Sequence, residues 1–510
     1  MQFRITDETQ RTVDTGQFAT ILHRLPNNRG IGELLTAQSL EEQLETALTA
    51  LGGTFVNESA ALESTDLSRQ AIVRRRFVVL TSITVAVGGF LFGYDTAVIS
   101  GAILFVREQF HLNSFTTEIA VSIVLAGALV GAAVGGYLGD RFGRRLTLLV
   151  TAITFGIFSI TTGLANSALV FVISRLFVGA AVGVSSMLTP LYIAELAPEK
   201  HRGALVTLNQ LAISAGVVIA YYVDYLLSGA GNWRWMFMSA MFPSLLLLAG
   251  VIYLPETPRW LAARQRFDDA ARVLSQIEGP REVERDLEEL HKVTAAGKLR
   301  VQDLLQRRFT KPLIVGIILA AFQQITGINT IVYYAPTIFQ MVGFSSASVA
   351  ILATFLIGAV GLATTVLSMF LLDKVGRRPL LLVSLAGMGL MLLHLVYTLG
   401  SPSPTKWIVI IDILLYLAAF DLGLGPIFWL LISEIYPTTV RGQAMSLATV
   451  AIWACDFLVT ATFLTLVDHL GMRGCFLLFA FLCFLALVFS FRMVPETRGR
   501  TLEEIEMSWN

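Results

Sequence analysis

Charge is scarce in this chain. Only 15% of its 510 residues are Asp, Glu, Lys or Arg, and 37 basic side chains offset 37 acidic ones. That balance leaves no basic footprint for nucleic acid, so no nucleic-acid partner is expected. Cysteine is scarcer still: Cys455, Cys475 and Cys483 sit in late apolar segments without CxxC spacing. Neither a disulfide framework nor a metal site is expected from them. A nucleophile elbow, a zinc motif and a phosphate loop are all missing, which argues against an enzyme and against a cofactor. The first seventy or so residues lack the basic start and apolar core of a secretory signal, so nothing here reads as cleaved.

What is plentiful is apolar surface. Hydrophobic residues make up 55% of the chain and the mean hydropathy is +0.69, values of a polytopic membrane protein. Apolar runs long enough to span a bilayer recur about twelve times, six before and six after a charged interval. An all-α fold follows. The boundaries read as an N-terminal extension over 1–73, a six-helix bundle over 74–254, a helical linker over 255–311, a second six-helix bundle over 312–494 and a tail over 495–510. Arg74 to Arg76, Arg144 with Arg145, Arg202, Arg377 with Arg378, Arg441 and Arg498 fall on alternate connections, which places both termini in the cytoplasm. Within the extension, Ser39 to Gly53 carries a capping box at Ser39 and Glu42 and an apolar stripe, so it reads as one amphipathic helix, either a solvated appendage or a regulatory element. Asn57 opens a glycosylation sequon that a cytoplasmic tail would leave inert.

Three motifs occur twice, at offsets of roughly 235 to 240 residues, the mark of a duplication. GDRFGRR (139–145) recurs as LDKVGRRP (372–379), ELAPEKHRG (195–203) as EIYPTTVRG (434–442), and PETPRW (255–260) as PETRGR (495–500). An even number of spans separates the copies, so they are parallel repeats with a ligand expected between them. Each copy mixes acids with arginines. Asp140, Glu195 and Glu256 can pair with Arg144, Arg145 or Arg202, and Asp373 and Glu434 with Arg377, Arg378 or Arg441, as latches between helix ends or as plain topogenic charge.

The stretch GGFLFGYDTAVISG (88–101) holds a carboxylate, Asp95, inside an otherwise apolar segment. Such a group costs about 2.5 kcal/mol or more at membrane depth and marks an ion or proton path by default. Its best partner is Arg175, a fixed charge in another apolar run. At ~1.5 Å per residue Asp95 lies roughly 28 Å beyond Arg76 and Arg175 roughly 10 Å beyond Ala168, similar depths if the helices enter from opposite faces. The two form either a permanent pair or a switchable one. Neutral hydrogen-bonding groups gather in FQQITGINTIVYYAP (322–336): Gln323, Gln324, Asn329, Tyr333 and Tyr334, with Gly327 and Pro336 permitting a break. Gln210, Trp429 after the helix-breaking GLGP, and Trp453 extend the set. Amides and indole faces suit a hydroxylated neutral ligand; interhelical amide bonding is the plainer reading.

Taken together, GYDTAVISG, GDRFGRR, the Arg175 segment, PLYIAELAPEKHRG, PETPRWL, QQITGINTIVYYAP, DKVGRRP, GPIFWLLISEIYPTTVRG and PETRGRTLEE resemble the sugar porter family of the major facilitator superfamily. The resemblance covers Phe77 to Glu504 and is similar to xylose:proton symporter and hexose transporter members. It implies two bundles that alternate access to a monosaccharide in the plasma membrane (the inner membrane in a bacterium), with protons and the lipid bilayer as the other partners. By motif match it places Gln210, Ile213, Gln323, Gln324, Asn329, Tyr333, Gly425 and Trp429 at the sugar, with Phe92 and Trp453 nearby. Asp95 falls at the protonatable carboxylate, Arg175 at its partner, and Asp140, Arg144, Glu195, Arg202, Glu256, Tyr334, Asp373, Arg377, Glu434 and Arg441 at the gates. A passive uniporter and a non-transporting sugar receptor are the alternatives. This chain also departs from the pattern. Val217 and Ile452 stand where xylose symport uses glutamines, Gly361 where many members have asparagine, Asp456 where asparagine is common, and Asp421 is an added carboxylate beside GLGP.

Overall fold

The computed structural model describes residues 58–198, 202–296, 306–401, 405–436, 441–498, 500 and 504–505. The expected helix at Ser39 to Gly53 and the Asn57 sequon lie outside them. Among the described residues the chain is helical throughout, and twelve segments are long and apolar enough to cross a membrane. Of the described residues, 58–77 fall in one unit and those from Val78 onward in a second.

The first bundle comprises α1 (Glu58–Gln109), α2 (Ser114–Phe142), α3 (Arg144–Gly163), α4 (Ala168–Leu196), α5 (Arg202–Ser228), and a span broken into α6 (Trp233–Met238) and α7 (Met241–Ile252). Three short helices follow: α8 (Pro258–Ala263), α9 (Phe267–Ser275) and α10 (Pro280–Ala296). The second bundle comprises α11 (Arg307–Ile325), α12 (Ile328–Met341), α13 (Ala347–Val375), α14 (Arg377–Thr398), α15 (Lys406–Leu422), α16 (Leu424–Ile435), α17 (Arg441–Thr460) and α18 (Phe463–Met493). All the repeated motifs gather at one end of the bundles, here called the motif end; the other is the far end.

The duplication is visible in atomic detail at the motif end. Gly143 and Gly376 each turn the chain at φ near +100°, a conformation glycine adopts freely. The arginine after each glycine reaches back to the carbonyl of Gly139 or Leu372 and across to Glu195 or Glu434, at 3.2 Å in both copies. Asp140 adds a 3.0 Å contact to Arg144. Glu256 corrects the sequence reading. Its carboxylate takes the backbone N–H groups of Arg144 and Arg145 at 2.9 and 3.1 Å rather than a guanidinium, and Glu496 does the same for Arg377 and Arg378. The reason is local: a helix that starts straight after a glycine has no side chain of its own to satisfy its first donors. Burial pushes the Glu256 carboxyl up, and the hydrogen bonds from Thr257, Arg145 and Arg144 hold it back. These pairs brace each bundle internally; the side chains of Arg202, Asp373 and Arg441 are outside the described set.

Large apolar side chains such as Phe242, Leu246, Phe370, Val383, Phe481 and Phe484 stay exposed along the outer faces, whereas Phe155, Tyr192, Phe339 and Phe428 fill the interior. Two broken helices shape the middle. Between α11 and α12 the chain turns at Gly327, φ +94°, packed against Phe479. Between α15 and α16 it turns at Gly423, where Ser384 Oγ accepts the N–H of Leu424 at 3.0 Å and Ser368 donates to Leu422 O at 2.8 Å. Pro336, expected to permit a break, sits inside a continuous α12. Proline there removes the hydrogen bond that Val332 O would receive. Tyr221, from α5 of the other bundle, donates to that carbonyl at 2.9 Å instead.

Candidate functional site

Asp95 and Arg175 meet, as their depths suggested. Arg175 Nη1 donates to Asp95 Oδ1, and both side chains are almost wholly buried. The guanidinium carbon lies 5.3 Å from the ring centre of Phe237. Contact is through one nitrogen only, since Nε and Nη2 have no hydrogen-bond partner among the described residues. A permanent buried pair needs bidentate geometry and satisfied donors to offset its desolvation, and this one has neither.

The amides of α11 and α12 form a ladder. Gln323 Nε2 donates to Gly425 O at 3.3 Å, Gln324 Nε2 to Gln323 Oε1 at 3.1 Å, and Asn329 Nδ2 to Gln324 Oε1 at 2.8 Å. Asn329 Nδ2 also donates to Asp456 Oδ2 at 2.8 Å, which Tyr333 approaches at 3.4 Å, while Thr460 donates to Asp456 Oδ1 at 3.2 Å. Asp456 therefore ends the ladder as an acceptor for three neutral donors. Tyr333 is fully buried at this end of the ladder. Phe92 of α1 and Trp453 of α17 close ring to ring at 5.3 Å across the two bundles. Gln210, Ile213 and Trp429 stand half-buried on α5 and α16 without taking a hydrogen bond in the ladder.

Two departures explain each other. A Cβ at Gly361 would fall 2.8 Å from Asp421 Oδ2, so the Asp421 carboxylate occupies the space a side chain at 361 would need.

The far end is sealed by contacts between the bundles: Tyr221 to Val332 O, Ser228 Oγ to Ser348 Oγ at 2.8 Å, and Glu118 to Thr465, with Tyr333, Tyr334, Ile331 and Thr354 all buried. Tyr334 donates to Thr460 O at 3.2 Å within this seal.

A model of the family described as "Sugar (and other) transporter" matches residues 81–509. The chain belongs to this sugar transporter family. Among curated relatives, this transporter is 36% identical over 449 residues to the galactose-proton symporter of Escherichia coli K12, covering 86% of this chain and 96% of that one. It is 39% identical over 431 residues to the D-xylose transporter of Levilactobacillus brevis, covering 82% and 93%. Among solved structures it superposes on the proton:xylose symporter XylE bound to 6-bromo-6-deoxy-D-glucose with a TM-score of 0.74 at 33% identity, covering 86% of this chain and all of that one.

Sequence reasoning overlooked several groups of this transporter. Asp224 is wholly buried on α5, its Oδ2 accepting the N–H of Gly101 at 3.2 Å and its Oδ1 without a partner among the described residues. Asp412 of α15 pairs with His394 of α14 at 2.8 Å. Glu118, 1% exposed, lies on α2. Each is an ionisable group within an apolar run, the same signal that singled out Asp95.

Proposed function

We propose that this transporter carries a monosaccharide, pentose or hexose, across the plasma membrane by proton symport, with both termini and the motif end cytoplasmic. The observation that carries the reading is the one-point Asp95–Arg175 pair, buried on the same helix, α1, that brings Phe92 to Trp453 of the other bundle. A proton arriving at Asp95 cancels the attraction that holds Arg175, and the freed helices change which end is open. Return of the pair expels the proton on the other side. Sugar hydroxyls bind at Gln323, Gln324 and Asn329, whose remaining amide donors and acceptors match a polyhydroxy ring, and the Phe92–Trp453 contact supplies an apolar face. The apolar outer belt suits lipid. Basic residues on the motif-end connections support the orientation.

One proton crossing ~100 mV and ~1 pH unit supplies about 3.7 kcal/mol, enough for a gradient of several hundredfold. The test is uptake by proteoliposomes under an imposed proton gradient. Asp95→Asn should abolish uphill accumulation and sugar-driven proton influx while leaving exchange at least partly intact. Undiminished accumulation by that variant would remove Asp95 from the mechanism.

A further inference from the structure

Helix α18 begins in an unusual way. Its N-cap residue, Thr462, does not serve the helix, because its hydroxyl turns back to Leu458 O at 2.8 Å. The chain breaks at Gly471, φ +67°, so the capped end belongs to a short first segment of α18, and without a cap of its own that segment presents bare N–H groups and the positive end of its dipole. The missing acceptor comes from the other bundle. Glu118 Oε1 takes the N–H of Thr465 at 2.6 Å and Oε2 takes the hydroxyl of Thr465 at 2.7 Å. Both oxygens of one buried carboxylate are thus spent on a single residue across the divide, in charge-assisted bonds short enough to be strong.

The capped terminus also connects to the amide ladder. Phe463, the first residue of α18, lies 5.3 Å ring to ring from Tyr334, and Tyr334 holds Thr460 O at 3.2 Å. The Thr460 hydroxyl holds Asp456 Oδ1 at 3.2 Å, and Asp456 Oδ2 holds Asn329 at 2.8 Å. Contact is continuous from the Asn329 amide to the turn between α17 and α18, and that turn presents Thr465 to Glu118. We infer that Glu118 is the far-end gate residue of the transporter: its carboxylate caps α18 while the far end is sealed, parts from it when that end opens, and is coupled to sugar through the Asp456–Thr460–Tyr334 junction. When the far end opens, the bare helix terminus and the carboxylate both go to water, so the latch has two discrete states. The coupling half of this inference rests on sugar binding at the ladder; the latch half does not.

Thr354 offers the reporter. It is fully buried on α13, one turn before Gly358, which packs on Tyr221. A Thr354→Cys protein in which Cys455, Cys475 and Cys483 are changed to serine would be placed in nanodiscs, open to reagent from both faces. Its labelling by a charged maleimide is then followed with and without saturating D-xylose or D-galactose. Glu118→Ala should speed labelling about tenfold or more, the effect of losing a charge-assisted hydrogen bond from one state only. Thr465→Val should speed it less, and the double variant no more than Glu118→Ala alone. The change in rate that sugar causes in the reporter protein should shrink when Glu118 is gone. If Glu118→Ala does not fold, Glu118→Gln, which keeps an acceptor but loses the charge, should give a smaller rise. Unchanged labelling in a folded Glu118→Ala or Glu118→Gln protein, whose cysteine reacts once denatured, overturns the latch. A latch intact by these rates, with the sugar effect undiminished in Glu118→Ala, overturns the coupling alone. Absence of any sugar effect in the reporter protein counts against the sugar-site reading instead.

Discussion

Tyr221→Phe isolates a single hydrogen bond of the far-end seal. Pro336 cannot donate to Val332 O, and Tyr221 of the opposite bundle fills the vacancy at 2.9 Å. Phenylalanine keeps the ring and its packing against Gly358 but leaves a buried carbonyl without a partner. An orphaned buried acceptor costs about 1–3 kcal/mol, and here the cost falls on the sealed state alone. The ratio of far-end-open to sealed protein should therefore rise by roughly 5- to 150-fold. Spin labels at Leu226 and Val349, exposed positions toward the far ends of α5 and α13, would read this as a longer component in the distance distribution. Pro336→Ala supplies the internal control. Alanine restores the N–H that reaches Val332 O, so Tyr221→Phe should do little in that background, with a coupling energy of about 1 kcal/mol or more between the two changes. Identical distance distributions for Tyr221→Phe and the parent, or an effect undiminished by Pro336→Ala, would refute the reasoning.

Gln323→Ala and Asn329→Ala should each weaken sugar binding by about 1–3 kcal/mol, because a hydroxyl loses its partner in a desolvated site; calorimetry giving parental affinity for both would remove the ladder from the site. In the linker, burial first, then the neighbouring Asp286 carboxylate, pushes the Glu278 carboxyl up to about 7. The folded linker thus binds that proton more tightly than the unfolded one, so its stability is full below the ordinary glutamate range and declines as pH rises toward 7. Amides of α9 and α10, corrected for intrinsic exchange, should be less protected at pH 8 than at pH 6, and Glu278→Gln should erase the difference; equal protection in the parent at both values would contradict the assignment.

The twelve spans, the duplication and the Asp95–Arg175 pair were legible because each has few physical alternatives. Arg175 was a charge in another apolar run at the depth of Asp95, whereas the equally buried Asp224 is met only by the N–H of Gly101. The amide ladder was legible as a set of residues, but its order was not, since it depends on which amide faces Gly425 and which Asp456. Glu256 was read toward arginine side chains because sequence shows guanidinium groups and hides backbone donors. The same blindness concealed the partner of Glu118, a main-chain N–H 347 residues away. Pro336 was read by its usual effect on a helix, and the carbonyl it frees became visible only once Tyr221 was seen to fill it.

The paired caps at Glu256 and Glu496 have a mechanical meaning. In the first bundle they and the Arg144–Glu195 contact tie α2, α3 and α4 to the chain leaving α7; in the second, α13, α14 and α16 are tied to the chain leaving α18 in the same way. Each half thereby owns a stiff frame, built twice from one plan. The amides and Asp456 of the ladder lie on α11, α12 and α17, outside those ties, while Arg175 on α4 and Trp429 on α16 lie on tied helices. The molecule is organised as two frames made from one plan, each closed by an acid that caps a helix and an arginine that reaches a second acid, and the amide ladder is carried on helices that neither frame ties.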